Sequence, residues 1–393
     1  MSASSSTLTK PRARHILVNG LSMGSGGGYT VGVELWRELA RARPDWTITL
    51  AAVTGNRLHE EAKREEVPTN CQLLWAPEAA KGLMARARYE RRGLIEFVRT
   101  KRVDAVLQLN GMAIRGMPVP TLAHCQDPWP FRPEAWTRGL RDRVSAWVKR
   151  RALAASFSRA AYVGWTSAYL RDLMIARLQI TPKRGEVFYN GLSADLLARA
   201  KAPEAMDYPL RPLRMVTISN VGPYKRQDLV IRAMPELHRR PGLRDLQYHI
   251  AGHVEETYRH ELESLAKSLG VSAQVHIEGR VSRHRIDELF ASARCFVLMS
   301  VCESFGVPAI EAMSFGTPVV TTDCCAMPEV CSDAADFVPM DNLTALIDRL
   351  GRVLTDSAHA EELRRRGKTR VHGFAWSATA ARIAQALEHV SPA

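Results

Sequence analysis

The sequence predicts an α/β protein of two tandem domains, each a parallel sheet wrapped by helices, and three observations carry this. Short apolar runs alternate with longer amphipathic stretches almost from end to end, as repeated βα units require. The rhythm breaks over residues 192–211, where Pro203, Pro209 and a mixture of Ala and charge carry no sustained period, and then restarts. A length of 393 residues exceeds one ordinary core and suits two.

Taken in order, residues 1–14 read as a disordered tail that is serine-rich at its start. A first domain over 15–200 has strand-like runs at 15–19, 47–53, 72–75, 105–109, 121–125, 161–165 and 187–189, with helices in the intervals. A linker occupies 201–212. The second domain, 213–375, has strand-like runs at 215–219, 247–251, 274–278, 295–300 and 318–322. Helical periods fall near 228–239, 256–269, 284–293, 308–315 and 343–354, and a final helix covers 376–393. Two such blocks leave a cleft between them, where ligands of α/β proteins usually sit.

Composition narrows the class. With 46% hydrophobic and 24% charged residues the chain is globular, and no run approaches the roughly 20 apolar residues that span a bilayer. The first apolar run, His15-Ile16-Leu17-Val18, is too short for a secretory core, so a cytoplasmic location is expected. Seven irregularly spaced cysteines fit neither a disulfide framework nor a paired zinc site, and are read as reduced. A net charge of +13 asks for a negative partner: nucleic acid, an anionic bilayer or a phosphorylated substrate.

The most informative segment runs from Cys302 to Val320, CESFGVPAIEAMSFGTPVV. It follows a strand, turns through small residues, starts a helix with Pro308 in its first turn, and ends it at Gly316 with Pro318 beyond. Such a loop presents the backbone N–H groups of Phe305 and Gly306 at a helix N-terminus, where phosphate or sugar oxygens are favoured. Glu303 precedes the helix and Glu311 lies about one turn inside it, so both carboxylates can line one cleft at different depths.

This segment resembles the Glu-x7-Glu motif of the family-four retaining glycosyltransferases of GT-B fold, two Rossmann-like domains with parallel sheets facing a central cleft. The resemblance implies that Glu311 binds the ribose hydroxyls of a nucleotide sugar, that Glu303 faces the donor sugar, and that the backbone of Ser304, Phe305 and Gly306 contacts sugar and diphosphate. A second match, Ser219 to Ile231, is similar to the family's segment that opens the C-terminal domain, and puts Lys225 at the diphosphate. The family's arginine five residues earlier is here Asn220, and Arg226 is the substitute the sequence offers for its charge. Strand ends at His249–Gly252 and Ile277–Ser282 also match, with Gly279 and Val281 toward the nucleobase.

The N-terminal half is less specific. Gly24-Ser25-Gly26-Gly27-Gly28-Tyr29 resembles a dinucleotide fingerprint, but Tyr29 stands at the third glycine position and no acidic ribose partner ends the second strand. Under the glycosyltransferase reading Gly26 and Gly27 lie beside the diphosphate or acceptor. The strand ending His124-Cys125-Gln126-Asp127 compares with the family strand that finishes in His or His-Asp by the reacting sugar. Two registers stay open, one with His124 as the family histidine and one with Gln126-Asp127 as the pair. Tyr189-Asn190-Gly191-Leu192 matches the strand end that closes the domain.

The reaction so implied is retaining transfer of a hexosyl group from a UDP- or GDP-sugar to a hydroxyl, in cell-surface polysaccharide, lipopolysaccharide or glycolipid synthesis. No DxD pair is present, so neither metal nor cofactor is expected. Residues 81–102 hold eight basic groups against Glu90 and Glu96, and 138–151 hold six against Asp142 with Leu140, Val144, Trp147 and Val148 interleaved. Such faces suit an anionic membrane surface, hence a peripheral position at the inner membrane and a sugar or lipid-linked acceptor. No nucleic-acid reader motif is present, so nucleic acid is not an expected partner. The alternatives are an NAD-dependent Rossmann oxidoreductase, opposed by the broken fingerprint, and a non-catalytic nucleotide-sugar-binding subunit, opposed by Lys225, Glu303 and Glu311.

Overall fold

The computed structural model describes residues 14–22, 27–55, 67–202 and 208–391. The tail up to residue 13 and residues 203–207 of the linker lie outside them. The first domain holds β1 (His15–Asn19), β2 (Thr47–Ala52), β3 (Cys71–Trp75), β4 (Ala105–Gln108), β5 (Thr121–Cys125), β6 (Tyr162–Trp165) and β7 (Gly185–Val187). They form one parallel sheet in the order β3-β2-β1-β4-β5-β6-β7. The second holds β8 (Arg214–Ile218), β9 (Gln247–Ala251), β10 (Val275–Gly279), β11 (Cys295–Leu298), β12 (Val319–Thr322) and β13 (Ala335–Val338), ordered β10-β9-β8-β11-β12-β13 and again parallel.

Both sheets reverse winding beside their first strand, between β1 and β4 and between β8 and β11. At such a switch the loops beyond the strand ends diverge and leave a crevice. Strands β1 and β11 carry apolar runs because both faces are covered, with Ile16, Leu17, Val18, Phe296 and Val297 all fully buried.

Several element assignments differ from the sequence expectation. Strand β7 covers 185–187 rather than 187–189, because its ladder pairs Gly185 to Val187 against Val163 to Trp165. The edge strand β13 and the helix Ser357–Arg370 are additional. That helix is charged at half of its positions and has little apolar period; Asp356 starts it by accepting from the His359 N–H at 3.0 Å.

The end of the linker is fixed to the second domain. Buried Arg211 donates to the carbonyls of Ala293, Phe315 and Gly316, and the Tyr208 hydroxyl to those of Arg294 and Val353. The last helix, Trp376–Val390, instead packs against the helix Gly27–Ala42, with Ala380, Ile383 and Leu387 in the first domain's core. The chain crosses at Gly191, where a Cβ would stand 2.3 Å from Trp376 N, so only glycine permits the bonds from Leu192 N to Phe374 O and Trp376 N to Leu192 O.

Candidate active site

A cavity of about 500 Å³ opens between the domains at the two switch points. Loops beyond β1, β4 and β5 supply Ser22, Asn110, Gln126 and Asp127, and those beyond β8 and β11 supply Asn220 and Glu303. The seam beside it is polar. Ser167 Oγ donates to Ser304 O at 2.7 Å, Arg132 Nε to Val301 O at 3.2 Å, and Glu329 accepts from the Ala168 and Tyr169 N–H groups.

Lys225 and Glu303 meet on the cavity wall as a direct ion pair, each side chain nearly enclosed. Burial opposes the charge on Lys225, but the Glu303 carboxylate and Tyr224 outweigh it, so the ammonium is held above the ordinary lysine range. The helix Val307–Ser314 begins beside this pair. Its cap, Gly306, has φ 88°, and a Cβ there would meet Met327 Sδ at 2.6 Å. The Phe305 ring is a core anchor between Tyr189 and Phe374, which fixes the loop while its backbone stays on the cavity wall. No protein acceptor takes the N–H groups of Phe305, Gly306 or Val307 among the described residues.

Glu311 faces a second pocket of about 260 Å³, reached past Val307 and shared with Glu34 and Arg283. Burial raises its pKa, and the neighbouring Arg283 guanidinium partly offsets that. A long ligand can therefore use Glu303 at one end and Glu311 at the other.

Other sequence-derived candidates are distributed differently. The pleat points Cys125 at the cavity and His124 away from it, so His124 is buried against Phe188, its pKa lowered to about 4 by burial. Of the two registers, Gln126 and Asp127 reach the cavity wall, and His124 does not line it. Arg226 lies off this wall as well. At φ 55° its side chain turns away from the cavity to Asp341 at 2.7 Å and Asp228 at 3.5 Å. Gly279 ends β10 at φ 71°, and neither it nor Val281 lines these two pockets. Gly26 lies outside the described residues; Gly27 opens the helix Gly27–Ala42, and Gly28 beside it lines the cavity.

Among the cavity residues without a role in the sequence analysis, three polar ones stand out. Asn190 is buried, lines the cavity and leaves its Oδ1 without a hydrogen bond. Its signal was the Tyr189–Leu192 stretch. Arg86 and Lys149 had been counted only as parts of the basic faces, yet both reach the cavity wall, Lys149 with its Nζ 3.2 Å from Asp127.

Two parallel-sheet domains facing a cleft, with a cation and a carboxylate paired on its wall, define a GT-B protein, and solved structures share this fold. Sucrose-phosphate synthase of Thermosynechococcus elongatus superposes with a TM-score of 0.77 at 17% identity, covering 96% of this chain and 98% of that one. The Anabaena protein HepE in complex with UDP-glucose gives 0.74 at 16%, covering 95% and 99%. Residues 200–370 match the family described as Glycosyl transferases group 1. Among curated relatives, the MMP alpha-(1->4)-mannosyltransferase of Mycolicibacterium hassiacum is 35% identical over 133 residues, or 32% of each chain. This chain thus spans about a third of that relative's length.

Proposed function

We propose that the protein is a retaining glycosyltransferase that moves a hexosyl group from a UDP- or GDP-sugar to an acceptor hydroxyl. The observation that carries this reading is the Lys225–Glu303 pair beside the free N–H groups at the Gly306-capped helix start. When the glycosidic bond to diphosphate breaks, negative charge grows on the leaving phosphate. Lys225 and the 304–306 amides are the groups able to meet it, and fixed donors in an enclosed site act without reorganising. Glu303 then faces the sugar, and Glu311 takes the ribose hydroxyls.

Among the described residues, the cavity carboxylates are Asp127 and Glu303. Glu303 is engaged by Lys225, so the reading is electrostatic stabilisation of an oxocarbenium-like state rather than double displacement. The reading uses no metal, because Lys225 meets the diphosphate. Asp127, Lys149 and Arg86 lie on the N-terminal wall, where the acceptor enters. UDP-glucose in the Anabaena structure and the hexosyl transfer named for the Mycolicibacterium relative support this donor class.

The acceptor is read as lipid-linked, in polysaccharide or glycolipid synthesis at the cytoplasmic face of a membrane. No helix among the described residues is long and apolar enough to cross one. Met84 and Trp147 are 85% and 53% exposed, on helices that carry Arg86 and Lys149 to the cavity. Apolar and basic groups thus flank its mouth, as a surface-bound enzyme requires.

The test is a panel of UDP- and GDP-hexoses, following diphosphate release and the anomeric configuration of the product by NMR. Release from at least one hexose, with configuration retained, is expected. Inversion would remove the retaining mechanism; a thermal shift with NAD but not with UDP or GDP would remove the reading altogether.

A further inference from the structure

The turn between β12 and the helix Met327–Cys331 carries two adjacent cysteines, Cys324 and Cys325, whose sulfurs lie 3.6 Å apart. Cys325 has φ 61°, an uncommon conformation for a residue with a side chain, and it turns the Sγ into the seam between the domains. As a thiol, Cys325 donates to Val301 O at 3.3 Å. As a thiolate it accepts the Cys324 S–H, and the Arg132 guanidinium and Tyr169 hydroxyl of the N-terminal domain face it. The Cys324 S–H is the main influence holding Cys325 below the ordinary thiol range; burial opposes it, and the Glu303 amide and Arg132 add to it. Cys324 is shifted the other way by the same contact and by burial.

The other thiols lack this setting. Cys71 is pushed up to about 12 by burial, and Cys125, Cys295 and Cys331 are buried and also raised. Cys324 and Cys325 are half-buried residues, as Cys71 is, whereas the remaining cysteines are buried.

We propose that Cys324 and Cys325 form a thiol-exchange site that accepts small disulfides of the glutathione type and closes into a Cys324–Cys325 disulfide. The Cys325 thiolate attacks one sulfur of the small disulfide; the new S–S bond forms as the old one breaks, and one thiolate leaves. Cys324 then gives up its proton, attacks the Cys325 sulfur and expels the second thiolate. Two protein thiols are oxidised and one small disulfide is reduced to two thiols. Closure removes the thiolate that Arg132 and Tyr169 face across the seam. It also removes the sulfur beside Val301 and Glu303, so the segment bearing Glu303 loses an anchor.

The experiment uses the full chain. Iodoacetamide at neutral pH, read by peptide mass spectrometry, is expected to label Cys325 about tenfold or more faster than Cys71, since the thiolate is the reacting form. Glutathione disulfide should oxidise the wild type to the internal disulfide, whereas Cys324→Ser should stop at a glutathione adduct on Cys325 and Cys325→Ser should take neither. Oxidation should also weaken UDP or GDP affinity several-fold, with recovery in dithiothreitol; this arm rests on the donor-site reading above. Labelling of Cys325 no faster than Cys71, or a disulfide mapped to Cys302 instead, would overturn the proposal. Disulfide closure with nucleotide affinity unchanged would overturn the coupling to Glu303, while a reduced protein that binds neither nucleotide counts against the donor-site reading instead.

Discussion

Arg283 Nη1 donates to Glu311 Oε1 at 2.6 Å while its Nε meets Asp287 at 2.8 Å, so the carboxylate that reads as the ribose partner already has a cation. On the proposed reading, ribose hydroxyls would share or displace that contact. A buried carboxylate keeps its charge only while something compensates it, which couples nucleotide binding to the position of Arg283.

Glu311→Ala removes the acceptor for two hydroxyls and is expected to weaken nucleotide binding by about 1.5–3 kcal/mol for each charge-assisted bond lost. Isothermal titration with UDP and GDP measures it. Affinity unchanged for both would take Glu311 out of the site.

If, as proposed, its charge is matched to the departing diphosphate rather than to the bound donor, Lys225→Ala is expected to lower kcat by about 10²-fold or more with a smaller change in donor KM. Steady-state kinetics with the best hexose from the panel separate the two. A raised KM with kcat intact would assign Lys225 to ground-state binding.

Glu278 is held at about 2, chiefly by the Arg285 side chain, with burial opposing and His249 adding. Because its folded pKa lies below the ordinary value of 4.5, the carboxylate stabilises the fold above that pH and loses its contribution as pH falls toward about 2. The Tm difference between wild type and Glu278→Gln should be constant above about pH 5 and shrink steadily below it. A difference independent of pH would show that the pair with Arg285 contributes nothing.

Trp147→Glu is expected to reduce cosedimentation with anionic vesicles without changing release of diphosphate from a soluble donor. Wild-type binding should also fall with salt, as the screening length shortens from about 10 Å at 0.1 M to about 3 Å at 1 M. Equal, negligible binding to neutral and anionic vesicles at both salts would remove the membrane position and favour a soluble acceptor.

What was legible in the sequence is what depends on local order. Apolar runs of strand length, glycine and proline at the helix boundaries and the eight-residue step from Glu303 to Glu311 are one-dimensional patterns. They placed the β11 loop and the helix Val307–Ser314 within a residue or so. The helix Ser357–Arg370 was hidden for the converse reason: its charged positions erase the period that would announce it.

Tertiary structure alone decided which side chains share the cavity. A strand's pleat sends neighbours to opposite faces, and the register that put Cys125 on the cavity wall sent His124 into the core. One left-handed residue turned Arg226 toward Asp341. Arg86 and Lys149, 63 positions apart in the chain numbering, line one cavity from two different helices of the first domain. The sequence by itself determined the two βα blocks and the loop and helix that follow β11, since each is written in adjacent residues. Which charges face a ligand and which face each other depends on sheet register and domain docking, which bring together groups that no local pattern links.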